Sequence, residues 1–200
     1  MITVAVEGDT DVPFVTRLCE ASGFRVGPPI VAGGKPKLDP LIPGLAKAGR
    51  GSPHLVVRDL DMDAQCAPSW IAMNWPRAAG PYFVLRLAVR AVEAWFLADR
   101  HTAAAELHIP LAKVPRAPDG EVDPKRAIVN LARLSTKKSV REAIVPAAGL
   151  SRKAGQGYEA WLIGTTQKWS IERAMPNSPS LARAHRRLLA IRGAWTSVQG

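Results

Sequence analysis

The chain opens on a short β-branched run, Ile2–Val6, that stops at Glu7 and Gly8. Asp9 or Thr10 is placed to cap a helix near 11–22, with Pro13 in its first turn, where a missing N–H costs nothing. A second apolar run over Phe24–Ala32 ends in Gly33-Gly34-Lys35, and a helical stretch follows near 38–48. Leu55–Val57, inside HLVVRDLDMD, reads as a buried strand, and PYFVLRLAV (81–89) reads as another that passes into the helical RAVEAWFLAD. Short apolar strands alternating with helices predict an α/β fold built on a parallel sheet.

Beyond residue 101 the strand-like runs cease. APDGEVDPK (117–125) is a turn-rich break, 125–134 and 137–144 have the pattern of short helices, and SPSLARAHRRLLAIRG (178–193) is a capped helix with Leu181, Ala184, Leu188 and Ile191 along one side. The expected organisation is an α/β core over 1–100 and a basic, mainly helical extension over 101–200 packed on it.

Composition narrows this picture. With 47% hydrophobic and 22% charged residues among 200, the chain is expected to be globular with one or two domains. Cys19 and Cys66 show neither a CxxC nor a histidine pair at ligand spacing, which argues against a disulfide framework or a zinc ribbon. No basic leader is evident and no apolar run reaches the roughly 18 residues of a membrane span, so a cytoplasmic protein with no membrane partner is expected. Charge is uneven. Residues 1–100 hold 11 Lys and Arg against 10 Asp and Glu, whereas residues 101–200 hold 16 against 7. A basic surface attracts nucleic acid by releasing its condensed counterions.

The carboxylates carry the chemistry. Glu7 ends the first strand, Asp59 and Asp61 end the third, and Glu93 starts the helix after the fourth. Open parallel sheets bind ligands at the carboxyl ends of their strands, so these residues are expected to converge on one edge. Carboxylates so gathered repel each other unless a cation is present, and oxygen ligands in this number suit Mg²⁺ or Mn²⁺ better than zinc. DLDMD is not a calcium loop, because Ala64 and Trp70 replace the glycine and glutamate that such a loop needs. It also departs from the DxDx[TV] phosphatase motif, since Asp63 fills the fifth position. The Gly-Gly-Lys of AGGKPK lacks the remainder of a phosphate-binding loop and reads as a turn.

VEGDTD after a strand, DLD after a later one, and VEAWFLAD together resemble the Toprim domain, the metal-binding module of topoisomerases, bacterial primases and overcoming-lysogenization-defect (OLD) nucleases. GGKPKL, EAWFLAD, GQGYEAWL and SPSLARAHRRL extend the likeness to a bacterial Toprim-like family of unknown function that carries this core alone. The resemblance implies a parallel four-stranded sheet flanked by helices. It further implies Glu7, Asp11, Asp59, Asp61 and Glu93 as ligands of a two-metal site, with Lys153 steadying a transition-state phosphate. Asp63 and Asp99 are left as neighbours of the motifs or helix-end charges. Only Tyr82 and Tyr158 exist as tyrosines, and a strand-passage mechanism is not expected.

The function expected is a divalent-metal-dependent nucleic-acid phosphodiesterase with a place in phage defence, acting on DNA rather than RNA. Glu7, Asp59, Asp61 and Lys153 would be its catalytic residues, with Lys35 a further phosphate counter-charge. Lys35, Lys137, Lys138, Arg152, Arg186 and Arg187 would hold the phosphate backbone. The alternative is a non-catalytic nucleic-acid or nucleotide-binding module that partners a separate ATPase. Phosphatase chemistry with Asp59 as nucleophile stands third.

Overall fold

The computed structural model describes residues 1–60, 67–88 and 92–199. Asp61, Asp63 and Cys66 lie outside the described residues. The chain divides into two compact units, Met1–Val89 with Ser180–Gly200, and Arg90–Pro179.

In the first unit the elements run β1 (Thr3–Val6), α1 (Asp11–Ala21), β2 (Ile30–Val31), α2 (Lys35–Leu38), α3 (Ile42–Ala48), β3 (His54–Asp59), α4 (Ala67–Asn74) and β4 (Phe83–Ala88). The second unit holds α5 (Val92–Ala98), α6 (Arg100–Leu107), α7 (Pro124–Arg133), α8 (Lys138–Ile144), α9 (Tyr158–Thr165) and α10 (Ile171–Ala174). The chain then returns to the first unit as α11 (Pro179–Gln199).

The four strands form one all-parallel sheet in the order β2-β1-β3-β4, with Val4 opposite Leu55 and Asp59 opposite Ala88. This is the α/β architecture that the alternation predicts. Its central strands are apolar in sequence because both faces are covered. On one face Ala5, Val56, Phe83, Leu85 and Leu87 pack with Leu38, Ile42, Ala46 and Trp70 from α2, α3 and α4. The right-handed crossover of a βαβ unit puts α1 on the opposite face. There α11 lies beside it, His185 Nε2 sitting 3.4 Å from the Ala21 carbonyl and Arg192 donating to the Gly23 carbonyl at 2.9 Å. Leu181, Ala184, Leu188 and Ile191 are buried, as their spacing predicts.

Several expectations shift in detail. The stretch expected as one helix near 38–48 is broken into α2, a 3₁₀ turn at Asp39–Leu41, and α3, because Pro36, Pro40 and Pro43 remove donors along it. Neither Asp9 nor Thr10 caps α1 through its side chain. Thr10 sits at the N-cap position without such a bond, and Asp11 instead accepts from the Gly8 N–H at 2.9 Å. The two units do not follow the 1–100 and 101–200 division: α5 and Asp99 join the helical unit, and the arginine-rich α11 joins the sheet. The expected basic extension is thereby split. Residues 90–179 hold 14 Lys and Arg against 9 Asp and Glu, and residues 180–200 hold four Arg and no carboxylate.

Among the described residues no helix is long and apolar enough to cross a membrane. Cys19 is a buried free thiol whose pKa is pushed up to about 12 by burial and then by Glu20. It stays protonated and inert at neutral pH.

Candidate functional site

Strand β1 ends where Val6 is buried and Glu7 emerges half-exposed at the carboxyl edge of the sheet. The order β2-β1-β3-β4 reverses its direction of growth between β1 and β3, and such a switch point opens a crevice outside the strand ends. Glu7 and Asp59 are the residues at the two tips flanking it. The Asp59 N–H donates to Glu7 Oε1 at 2.8 Å, so the two acidic residues, 52 positions apart in sequence, meet directly. Asp11, only 6% exposed, sits beside the tip of β1, where it accepts from the Gly8 N–H at 2.9 Å.

The loop after β2 closes over the same edge. Gly33 and Gly34 have φ of 77° and 107°, a region that side chains rarely tolerate, and their N–H groups both donate to the Glu7 carbonyl at 2.8 and 3.0 Å. These amides are spent on β1 rather than aimed at a ligand, which agrees with reading AGGKPK as a turn. The turn brings Lys35, at the start of α2, to the edge that holds Glu7.

A residue that sequence reasoning overlooked stabilises this edge. Arg58 is 4% exposed and forks Asp39, Nε to Oδ1 at 2.7 Å and Nη2 to Oδ2 at 3.1 Å. Its Nη1 donates to the Asp59 carbonyl at 2.8 Å, and its guanidinium lies 4.4 Å from the centre of the Trp70 ring. A rigid, planar donor suits this bidentate and stacked position better than lysine would. The only signal in the sequence is a cation immediately before the acidic DLD, which is easily read as surface charge.

Glu7, Asp11, Asp59 and Lys35 therefore share one edge of the first unit. Glu93 belongs to the second. There it is 9% exposed, and the Tyr158 hydroxyl donates to its Oε1 at 3.2 Å. Burial lifts the Glu93 carboxyl above its ordinary range, opposed by a backbone N–H, Lys125 and Tyr158 and reinforced by Asp123. The Tyr158 phenol is held well above its usual pKa by burial and by Glu93, which disqualifies it as a nucleophile at neutral pH. Asp99, fully buried, caps α6 by accepting from the Thr102 N–H and takes a two-pronged ion pair from Arg173. It is a helix-end charge.

Of the predicted phosphate-contacting residues of the second unit, Arg152 and Lys153 line two clefts, whereas Lys137 and Lys138 line neither. Arg133, Arg141 and Arg152 line one of about 580 Å³ with Val145, Pro146 and Leu150. Arg152, Lys153, Lys125 and Tyr158 line an adjoining one of about 320 Å³. Lys138 is exposed and pairs with Glu142 at 3.5 Å, and Lys137 is exposed at the start of α8. Arg186 and Arg187 are exposed on α11, in the first unit.

GQGYEAWL, a motif of the family resemblance, has a packing explanation in this unit. Gly155 N–H donates to Ile144 O and Gly157 N–H to Ala143 O, and a Cβ on Gly155 would stand 2.4 Å from the Ala143 carbonyl oxygen. Only glycine allows that approach. Gly155→Ala is expected to cost about 1–3 kcal/mol by forcing the 152–157 segment off α8, measurable by urea unfolding; a change below about 0.5 kcal/mol would contradict the contact.

Oxygen donors from Glu7, Asp11 and Asp59 match Mg²⁺ or Mn²⁺ in kind. One hydrogen bond does not exhaust a carboxylate, which offers about four lone-pair sites. Among the described residues, however, no group of three or more His, Cys, Asp or Glu side chains is already gathered as a metal site. Asp61, two residues beyond Asp59, lies outside them. No protein family, curated protein or solved structure matches the chain.

Proposed function

We propose that the chain is a divalent-metal-dependent phosphodiesterase acting on nucleic acid, DNA in preference to RNA, with its centre at the crevice between β1 and β3. The observation that supports this reading most is the 2.8 Å bond from the Asp59 N–H to Glu7, which joins two acidic strand tips at the switch point of a parallel sheet. Glu7, Asp11, Asp59 and Asp61 would hold Mg²⁺ or Mn²⁺, which supplies Lewis acidity and a nucleophilic water at neutral pH. Lys35 would face charge developing on a non-bridging phosphate oxygen. Arg58 would keep the Asp59 backbone in register while that charge builds. This reading rests on the first unit; Glu93 and Lys153, expected to share its site, belong to the second.

The test is nicking of supercoiled plasmid with Mg²⁺, with Mn²⁺ and with chelator. Cleavage confined to the metal-containing reactions supports the reading. Absence of cleavage, together with no heat of Mn²⁺ binding by titration calorimetry, would refute it. The arginine-lined clefts of the second unit favour a second reading, a binding module that holds nucleic acid or a nucleotide and acts with a separate ATPase. Under that reading DNA is retarded on a gel and left intact.

A further inference from the structure

The loop that follows α8 is folded back on its own start. It leaves the helix at Val145, turns where Gly149 has a φ of 82° and the Leu150 N–H donates to the Ala147 carbonyl at 3.2 Å, and closes where the Gly155 N–H donates to the Ile144 carbonyl at 2.8 Å. Loops with their ends held together usually pack the space they enclose with their own side chains. This one borders the cleft of about 580 Å³ in the second unit, and Leu150, one of the residues lining that cleft, stays 55% exposed.

Three arginines line the same cleft: Arg133 from the last turn of α7, Arg141 from α8, and Arg152 from the segment that closes the loop. Arg141 is half-buried and held in place, its Nη1 donating to the Ser135 carbonyl. Arg133 and Arg152 are exposed, and among the described residues neither pairs with a carboxylate. One acid, Glu142, also lines the cleft, and Lys138 meets it at 3.5 Å. The cleft therefore sets cations in excess beside the apolar surface of Val145, Pro146 and Leu150. A bare inorganic anion would use only the first of these, and a purely apolar ligand only the second.

We propose that this cleft is a nucleotide site in which Arg133, Arg141 and Arg152 take the phosphate while Val145, Pro146 and Leu150 cover the base. The inference deepens the binding-module reading and rests on it. The cleft falls within the roughly 300–1,000 Å³ of small-molecule sites, and planar guanidinium forks match phosphate oxygens bidentately. A flat base loses water from its faces against the aliphatic side chains. Because the loop is tied at both ends before any ligand arrives, little ordering entropy is lost on binding. Arg152 also lines the adjoining cleft of about 320 Å³ with Lys125 and Lys153, which sets further cations beside the site. The nucleotide belongs either to a strand, whose next phosphate those lysines would meet, or to a free mononucleotide.

Titration calorimetry of the full chain in chelator tests the site, with ribo- and deoxyribonucleoside 5′-monophosphates, their nucleosides and the two sugar 5-phosphates as probes. At least one monophosphate is expected to bind about tenfold more tightly than both its nucleoside and its sugar phosphate, since each lacks one half of the contacts. Arg133→Gln/Arg152→Gln, changed only at exposed positions, is expected to lose about tenfold of that affinity or more. Lys113→Gln/Arg116→Gln, removing the same charge from exposed positions of the same unit outside the cleft, keeps it. The proposal is overturned if no monophosphate binds, if the sugar phosphates bind as tightly, or if Arg133→Gln/Arg152→Gln retains full affinity. Anisotropy of a labelled 12-nucleotide single strand, also in chelator, separates the sources. Displacement of the strand by the monophosphate assigns the site to a nucleotide of a strand, and strand binding untouched by saturating monophosphate assigns it to a free mononucleotide. Plasmid retarded on a gel with no monophosphate bound sinks this inference and leaves the binding-module reading standing, and chelator keeps metal-dependent cleavage out of every measurement.

Discussion

Asp99→Ala is expected to destabilise the protein by about 3 kcal/mol at neutral pH. The carboxylate is fully buried and accepts from the Ser170 N–H at 2.8 Å, the Thr102 N–H at 3.3 Å, and Arg173 Nε and Nη2 at 2.9 and 2.8 Å. Removing one partner of a buried pair costs roughly 3–5 kcal/mol because the other is stranded. Arg173 is about half exposed, at 48% of its side-chain surface, so water can reach its guanidinium and the lower end applies. The loss also uncaps α6. Urea unfolding followed by tryptophan fluorescence is well placed to read it, because Trp169 Nε1 donates to the Trp95 carbonyl at 2.9 Å and both rings are buried in this unit. A change under 1 kcal/mol would contradict the role assigned to Asp99.

The pH dependence follows from the same contacts. Burial alone would raise the Asp99 carboxyl, but Arg173, Ser170 and Thr102 outweigh it and hold the folded pKa below the ordinary aspartate value. The unfolded chain then binds more protons than the folded one near pH 4. The stabilisation is complete above the unfolded pKa of about 3.9, and it is lost as pH falls through the lower folded pKa. Wild type should therefore weaken on acidification below about pH 4 more steeply than Asp99→Ala. Equal slopes would show that Asp99 titrates normally.

Asp99 also shows where sequence reading stops. Its position before a helix made a helix-end charge legible, yet Arg173 stands 74 positions away and nothing local points to it. Glu93 is the same case, since its hydroxyl partner Tyr158 is 65 residues distant. What the sequence does disclose is short-range. The strands follow from β-branched runs, and their carboxyl tips follow from where those runs end, which is why Glu7 and Asp59 were placed on one edge. Helix α4 was missed because APSWIAMN is nearly apolar throughout and carries no period. Helix α11 was legible as amphipathic from Leu181, Ala184, Leu188 and Ile191. Its return to the sheet was not, because a stripe of apolar residues says that a face is buried and not which partner buries it.

The charge asymmetry needs the fold before it can be interpreted. Read along the chain, it suggested one basic extension. The structure divides that charge between arginine-lined clefts in the helical unit and a carboxylate-free helix lying on the sheet unit. The second location matters more for the proposed chemistry, because it places cations and the Glu7–Asp59 edge in the same unit.

Glu7→Gln is expected to lower the proposed metal-dependent cleavage by about 10²–10³-fold while leaving stability within about 1 kcal/mol of wild type. The substitution separates two jobs of one side chain. Glutamine keeps a carbonyl oxygen where Glu7 Oε1 accepts from the Asp59 N–H at 2.8 Å, so the tie between β1 and β3 survives. It removes the negative charge that would hold Mg²⁺ or Mn²⁺, and with it most of the several kcal/mol that a Lewis acid contributes to a phosphoryl transition state. Glu7→Ala loses both and should add about 1 kcal/mol of destabilisation from the broken hydrogen bond. Plasmid nicking rates, Mn²⁺ titration calorimetry and urea unfolding on both variants give the three readouts. Cleavage and Mn²⁺ affinity that fall together in Glu7→Gln, with unfolding unchanged, place a metal ligand at the tip of β1. Full cleavage by a stably folded Glu7→Gln would mean that the crevice between β1 and β3 is not where the phosphodiester is broken.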